Sequence, residues 1–158
     1  MGLDREANFF MIGCNSNIPP ASILLLRDCD ISSTDTNSGF IKAEDPNNFI
    51  ITAKGMIYID KLVKRHPENT YLFQATGRRS LNKIKPVEIN WVSKQIKKAI
   101  TSLNLDIQIT LTSMIKTFGY HEIISGKREL VEVQCLLRRP SQRDLLKFID
   151  IEPGELKT

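Results

Sequence analysis

The chain has 158 residues, of which 41% are hydrophobic and 25% charged, a composition that fits one domain with a buried core and excludes a disordered or low-complexity chain. No apolar run approaches the roughly 20 residues that span a bilayer, so no membrane partner is expected, and the acidic start Asp4-Arg5-Glu6 lacks the form of a signal peptide, which points to the cytoplasm. The net charge of +4 hides an asymmetry: residues 1–60 hold 4 Lys/Arg against 8 Asp/Glu, and residues 61–158 hold 18 against 10, so the later part is the one suited to a polyanion.

In chain order, Asp4–Ile12 reads as a short helix with Ala7, Phe10 and Met11 at helical spacing. Pro19-Pro20 interrupts it, and Pro20 suits the first turn of a helix over Ala21–Arg27, with Ile23, Leu24, Leu25 and Leu26 buried. The Ser, Thr, Asn and Asp of Ile31–Gly39 predict a loop. Phe40–Ala43 and Phe49–Thr52 flank Glu44-Asp45-Pro46-Asn47-Asn48 as a β-hairpin. Met56–Arg65 reads as a helix with Met56, Ile59, Leu62 and Val63 on one face, ended by His66-Pro67. Tyr71-Leu72-Phe73 reads as a brief extended stretch and Gly77-Arg78-Arg79-Ser80 as a basic loop.

The clearest helix is Pro86–Leu103, with Trp91, Ile96, Ala99, Ile100 and Leu103 facing the core and Lys94, Lys97 and Lys98 facing solvent. Thr112 is the expected N-cap of a helix running to Ile124 and broken at Ser125-Gly126. Glu129–Leu137 and Gln142–Ile149 complete the set. The expected class is mainly α with a small antiparallel β-sheet (α+β). Cys14, Cys29 and Cys135 show no metal-ligand spacing and read as buried free thiols, so neither a metal site nor a cofactor is expected.

The last 50 residues carry a motif. Thr112-Ser113-Met114-Ile115-Lys116-Thr117-Phe118-Gly119-Tyr120-His121 resembles the H-S-L-R-K-T-F-G-Y-H signature of the tyrosine recombinase (phage integrase) family. Leu136-Leu137-Arg138-Arg139-Pro140-Ser141 resembles the later L-L-x-H-x-S element, and Leu146-Lys147-Phe148-Ile149-Asp150-Ile151 the L-R-Y-I-x-I segment. Cys14–Leu24 lies where the family has N-T-G-L-R-I-S-D-L-L, and Tyr71-Leu72-Phe73 matches a Y-L-F before the long helix. The intervals between these elements fit the family's C-terminal catalytic domain over nearly the whole chain, without the N-terminal core-binding domain. The resemblance implies the DNA breaking-rejoining fold.

It also implies a reaction: a tyrosine hydroxyl attacks the scissile phosphate, two arginines neutralise the nonbridging oxygens, and His and Lys assist. Carried over position by position, this sequence departs from it. The first arginine is Pro19, the His and Arg of H-x-x-R are Thr112 and Ile115, the later His is Arg139, and the nucleophile is Phe148. The hairpin lysine aligns with Glu44, with Lys42 and Lys54 nearby. The expectation is a pseudoenzyme of a mobile genetic element that cannot cut DNA by this route. Tyr120 is the ordinary helix tyrosine of the motif. Arg138, Arg139, Lys116, Arg78, Arg79 and Lys83 are the candidate contacts to the phosphate backbone of duplex DNA; each also reads as a solvated surface cation. The alternative is a subunit that pairs with an active recombinase, another partner or itself.

Overall fold

A computed structural model describes residues 4–42, 49–80 and 83–156. Seven helices and a three-stranded antiparallel sheet make up these residues. The class is the expected one, mainly helical with a small sheet.

Helix α1 (Asp4–Cys14) packs against α3 (Ala53–Arg65) and α5 (Leu111–Ile124). Its buried face carries Phe9 and Ile12, which join Ile18, Ile23, Ile51, Ile59, Phe73 and Met114 in the larger core. The Phe9 and Phe73 rings meet edge to face at 5.6 Å. Gly13 lets α5 approach closely, because a Cβ there would run into the Met114 side chain. A smaller core of Val133, Leu145, Ile149 and Ile151 joins α6 (Leu130–Leu136) to α7 (Gln142–Phe148).

The sheet holds the expected antiparallel pairing of the Phe40 and Phe49 runs and adds a third strand to it. Its strands are β1 (Ile31–Ser33), β2 (Gly39–Ile41) and β3 (Ile50–Ile51), in that order, with Ile31 opposite Ile41 and Phe40 opposite Ile50. β1 lies inside the segment expected to be a loop. Its hydroxyls do not break the strand but close the turn after it: Thr34 Oγ1 and Ser38 Oγ lie 2.7 Å apart, and the Thr34 N–H donates to the Ser38 carbonyl at 2.8 Å. The expected turn Glu44–Asn48 lies outside the described residues, as does Ala43.

Helix boundaries follow their caps. α2 (Pro20–Leu24) stops short of Arg27, so Leu25 turns to solvent at 58% exposure while Ile23, Leu24 and Leu26 are buried. The N–H of Gly55 donates to the Thr52 side chain and sets the start of α3, three residues earlier than expected; the helix ends at His66 as its His-Pro pair requires. Tyr71–Phe73 is a turn, and the local pairing is a single bridge between Gln74 and Pro86. Helix α4 (Ile89–Ser102) therefore begins after Pro86, which is held in that bridge.

Trp91, expected in the core, is 38% exposed and covered by Arg5, whose guanidinium lies 4.7 Å from the ring; Val92 is buried instead. Leu103, also assigned to the core face, is 67% exposed. For α5 the N-cap is Thr110 rather than Thr112, because Ser113 Oγ accepts the Thr110 N–H at 3.0 Å. Of the three thiols only Cys14 is buried; Cys29 and Cys135 are exposed, in a surface 3₁₀ turn and on the outer face of α6.

Candidate nucleic-acid interface

The end of α6 and the start of α7 form one corner. Arg138 takes a left-handed conformation (φ 52°) that ends α6, and the Arg139 N–H returns to the Gln134 carbonyl at 2.9 Å. Pro140 follows, and Ser141 Oγ then accepts the Asp144 N–H at 3.0 Å to start α7. The turn aims the Arg139 side chain along α7. Its Nε donates to Asp144 Oδ2 at 2.7 Å, and its guanidinium carbon lies 4.4 Å from the centre of the Phe148 ring.

A second cation reaches the same ring from α5. Lys116 Nζ lies 5.5 Å from the Phe148 centroid and donates to Asp150 Oδ2 at 3.2 Å. Phe148 thus sits between two cations, and each cation holds a carboxylate. All four charged side chains are partly solvent-exposed, so the pairs are screened and each contributes about 0–1 kcal/mol.

Arg139, Phe148 and Lys116 are the candidate residues that the fold brings together. Arg138 turns away and places its guanidinium 5.5 Å from the Phe49 ring. Pro19 is exposed ahead of α2, Thr112 is exposed in the first turn of α5, and Ile115 is half-buried one residue before Lys116. None of these three side chains adds a hydrogen bond, ion pair or ring contact to the cluster among the described residues. The Asn17 amide nevertheless donates to the Leu136 carbonyl at 3.2 Å, which ties the segment carrying Pro19 to the end of α6. Arg78 and Arg79 occupy a 3₁₀ turn with Ser80, and Lys83 follows it; none of the three is ion-paired among the described residues. They share no contact with the Phe148 cluster.

Asp144 and Asp150 are the partners the sequence did not point to. Asp144 was recognisable only as an acid in the first turn of a capped helix, and no local signal marks Asp150. Among the described residues, no group of three or more His, Cys, Asp or Glu is placed to hold a metal ion. No helix of the described residues is long and apolar enough to cross a membrane.

The structure is similar to the crystal structure of XerA recombinase, with a TM-score of 0.72 at 12% sequence identity over 97% of this chain. The fold is tyrosine recombinase-like. This chain spans about half of that chain, 54% of its length. No protein-family model matches the sequence, and no curated protein matches it either.

Proposed function

We propose that this chain is a recombination-associated DNA-binding pseudoenzyme, a recombinase-like domain of a mobile element that holds duplex DNA by its phosphates and does not cut it. Phe148 carries this reading. It stands at the position that the resemblance assigns to the nucleophile, and its benzyl side chain has no oxygen to form a phosphotyrosyl bond. Pro19 and Ile115 offer neither charge nor donor where the two arginines would stand, and losing even one such donor typically costs about 10²–10³ in rate. Arg139 keeps a positive charge in place of the later His but does not shuttle protons near neutral pH.

Binding rests on the cations outside the cluster. Arg78, Arg79 and Lys83 lie in one segment and make no ion pair among the described residues, a form suited to a phosphate backbone. The pairing of Arg139 with Asp144 and of Lys116 with Asp150 favours the second reading, a subunit that associates with an active recombinase without touching DNA, because it removes net charge from the site.

A mobility-shift titration of duplex DNA against salt separates the two. DNA binding predicts affinity that falls steeply with salt. The triple change Arg78→Ala, Arg79→Ala, Lys83→Ala should lower the log–log slope by up to about 3, since each phosphate contact contributes roughly 0.9. Absence of binding at low salt would leave the protein-partner reading. A covalent adduct on a nicked suicide substrate would overturn the inactive assignment.

A further inference from the structure

The connection between α4 and α5, residues 105–110, belongs to no helix or strand. After α4 the Leu105 N–H returns to the Ile100 carbonyl at 3.3 Å, and the next backbone bonds belong to Thr110 and the start of α5. Between them, Asp106, Ile107, Gln108 and Ile109 make no backbone hydrogen bond among the described residues. The run Leu105-Asp106-Ile107-Gln108-Ile109 alternates apolar and polar, the pattern of a half-buried strand. Yet Leu105 is 45% and Ile107 52% exposed. Leu105 and Ile109 also border an apolar groove of about 320 Å³ with Phe10, Met11, Ile96 and Ile100, so the apolar side of the run continues into a larger exposed patch.

We infer that residues 105–109 pair antiparallel with the same segment of a second copy of this chain, about a two-fold axis at Ile107. The register follows from the residues. With the axis at Ile107, Leu105 faces the partner's Ile109, Ile107 faces the partner's Ile107, and Asp106 faces the partner's Gln108. Every apolar residue meets an apolar one on one face, and no like charges oppose. Moving the axis one residue, to Asp106, would set two aspartates against each other.

Hydrogen bonding selects the same arrangement. When Ile107 occupies a non-hydrogen-bonded pair, the bonds fall on the N–H and C=O groups of Asp106 and Gln108, all unused in the single chain. The other phasing would need the Leu105 N–H, which is already committed to Ile100. The contact is self-complementary and closes at two copies, so it gives a dimer and not a fibre. This inference is independent of DNA binding.

Sedimentation velocity over a dilution series from roughly 100 μM, a range suited to a small interface, tests it. The unmodified protein should sediment as a dimer that dissociates on dilution. Ile107→Lys should be monomeric throughout with an unchanged circular dichroism spectrum and, at dilutions where both proteins are monomeric, an unchanged melting temperature, because Ile107 makes no hydrogen bond among the described residues. In a Cys29→Ser, Cys135→Ser background, Ile107→Cys should oxidise to a disulfide-linked dimer, since non-hydrogen-bonded partners lie about 4.5 Å apart at Cα. Gln108→Cys, displaced from the axis, should not. A monomeric unmodified protein, a dimer that survives Ile107→Lys, or equal cross-linking at 107 and 108 overturns the inference.

Discussion

Replacing Gly119 by Ala tests whether α5 lies against the corner that carries Arg139 and Phe148. A Cβ added at Gly119 would stand 2.7 Å from Leu137 Cδ1 and 3.1 Å from Ile149 Cγ2. The first contact is the end of a flexible side chain and can swing aside. The second is a β-branched residue, 4% exposed in the smaller core, and has little room to move. Overpacking of this kind costs about 1–3 kcal/mol. Ala returns about 1 kcal/mol of helix propensity over Gly, so the net loss is about 0–2 kcal/mol. For a chain of this length that lowers the melting temperature by up to about 8 °C. Urea unfolding should show a lower midpoint with an unchanged slope. Gly77→Ala is the control: nothing lies within 4 Å of its added Cβ, and the backbone has no positive φ, so a neutral or slightly stabilising result is expected there. A Gly119→Ala protein more stable than its parent by the full helix gain of about 1 kcal/mol would mean that α5 does not approach Leu137 and Ile149 as described.

Burial pushes the Cys14 thiol up to about 11, against an ordinary value of 9.0, despite a Thr117 hydrogen bond acting the other way. Cys14 should therefore resist a thiol reagent near pH 8 until the chain unfolds, while the exposed Cys29 and Cys135 react in the native state; three equally fast thiols would refute this. Because the folded value is the higher, the contribution of Cys14 to stability is complete below about pH 9 and disappears as pH rises toward 11, so Cys14→Ala should flatten the alkaline loss of stability. Ser141→Ala removes the cap of α7 and should cost about 1 kcal/mol in chemical denaturation. Glu6 is 5% exposed and, among the described residues, neither carboxylate oxygen has a hydrogen bond and its ion pair is with Arg5 Nε at 3.6 Å. Glu6→Met should consequently raise the unfolding midpoint, by about 1 kcal/mol or more, and a fall would show that the Arg5 contact outweighs desolvation.

The helices were legible wherever the apolar spacing was long and capped. α3, α5, α6 and α7 lie within a few residues of their expected ranges because His66-Pro67 and Ser125-Gly126 are local breaks that tertiary contacts did not override, while Thr52, expected to end a strand, caps α3 instead. The failures have specific causes. β1 carries Ser32 and Ser33, residues that suit turns and pair as a strand here only because β2 lies alongside. Trp91 falls on the apolar side of the α4 periodicity, but Arg5 of α1 covers its ring in place of a hydrophobic layer, a contact 86 residues away in sequence. The Phe148 cluster was half legible: motif order brought out Arg139 and Phe148, and Lys116 was recognised as a surface cation beside a lost arginine. Its carboxylates were not, since Lys116 and Asp150 meet only through the packing of α5 against the α6–α7 corner.

Those carboxylates separate two properties that are joined in an active recombinase. An exposed pair worth about 0–1 kcal/mol is easily exchanged for a phosphate, so Asp144 and Asp150 do not by themselves keep DNA away from Arg139 and Lys116. Chemistry is another matter. On the proposed reading it needs an oxygen at position 148 and charge fixed where negative charge develops, and no rearrangement of Asp144 or Asp150 provides either. On the proposed reading the corner can still dock a polyanion weakly, with Arg78, Arg79 and Lys83 supplying the uncompensated charge, while the barrier to cleavage stays untouched. Phe148 then has a structural role in place of a chemical one. Its ring is the surface against which Arg139 and Lys116 rest, so the position that the proposed reading assigns to a nucleophile joins α5 to the α6–α7 corner.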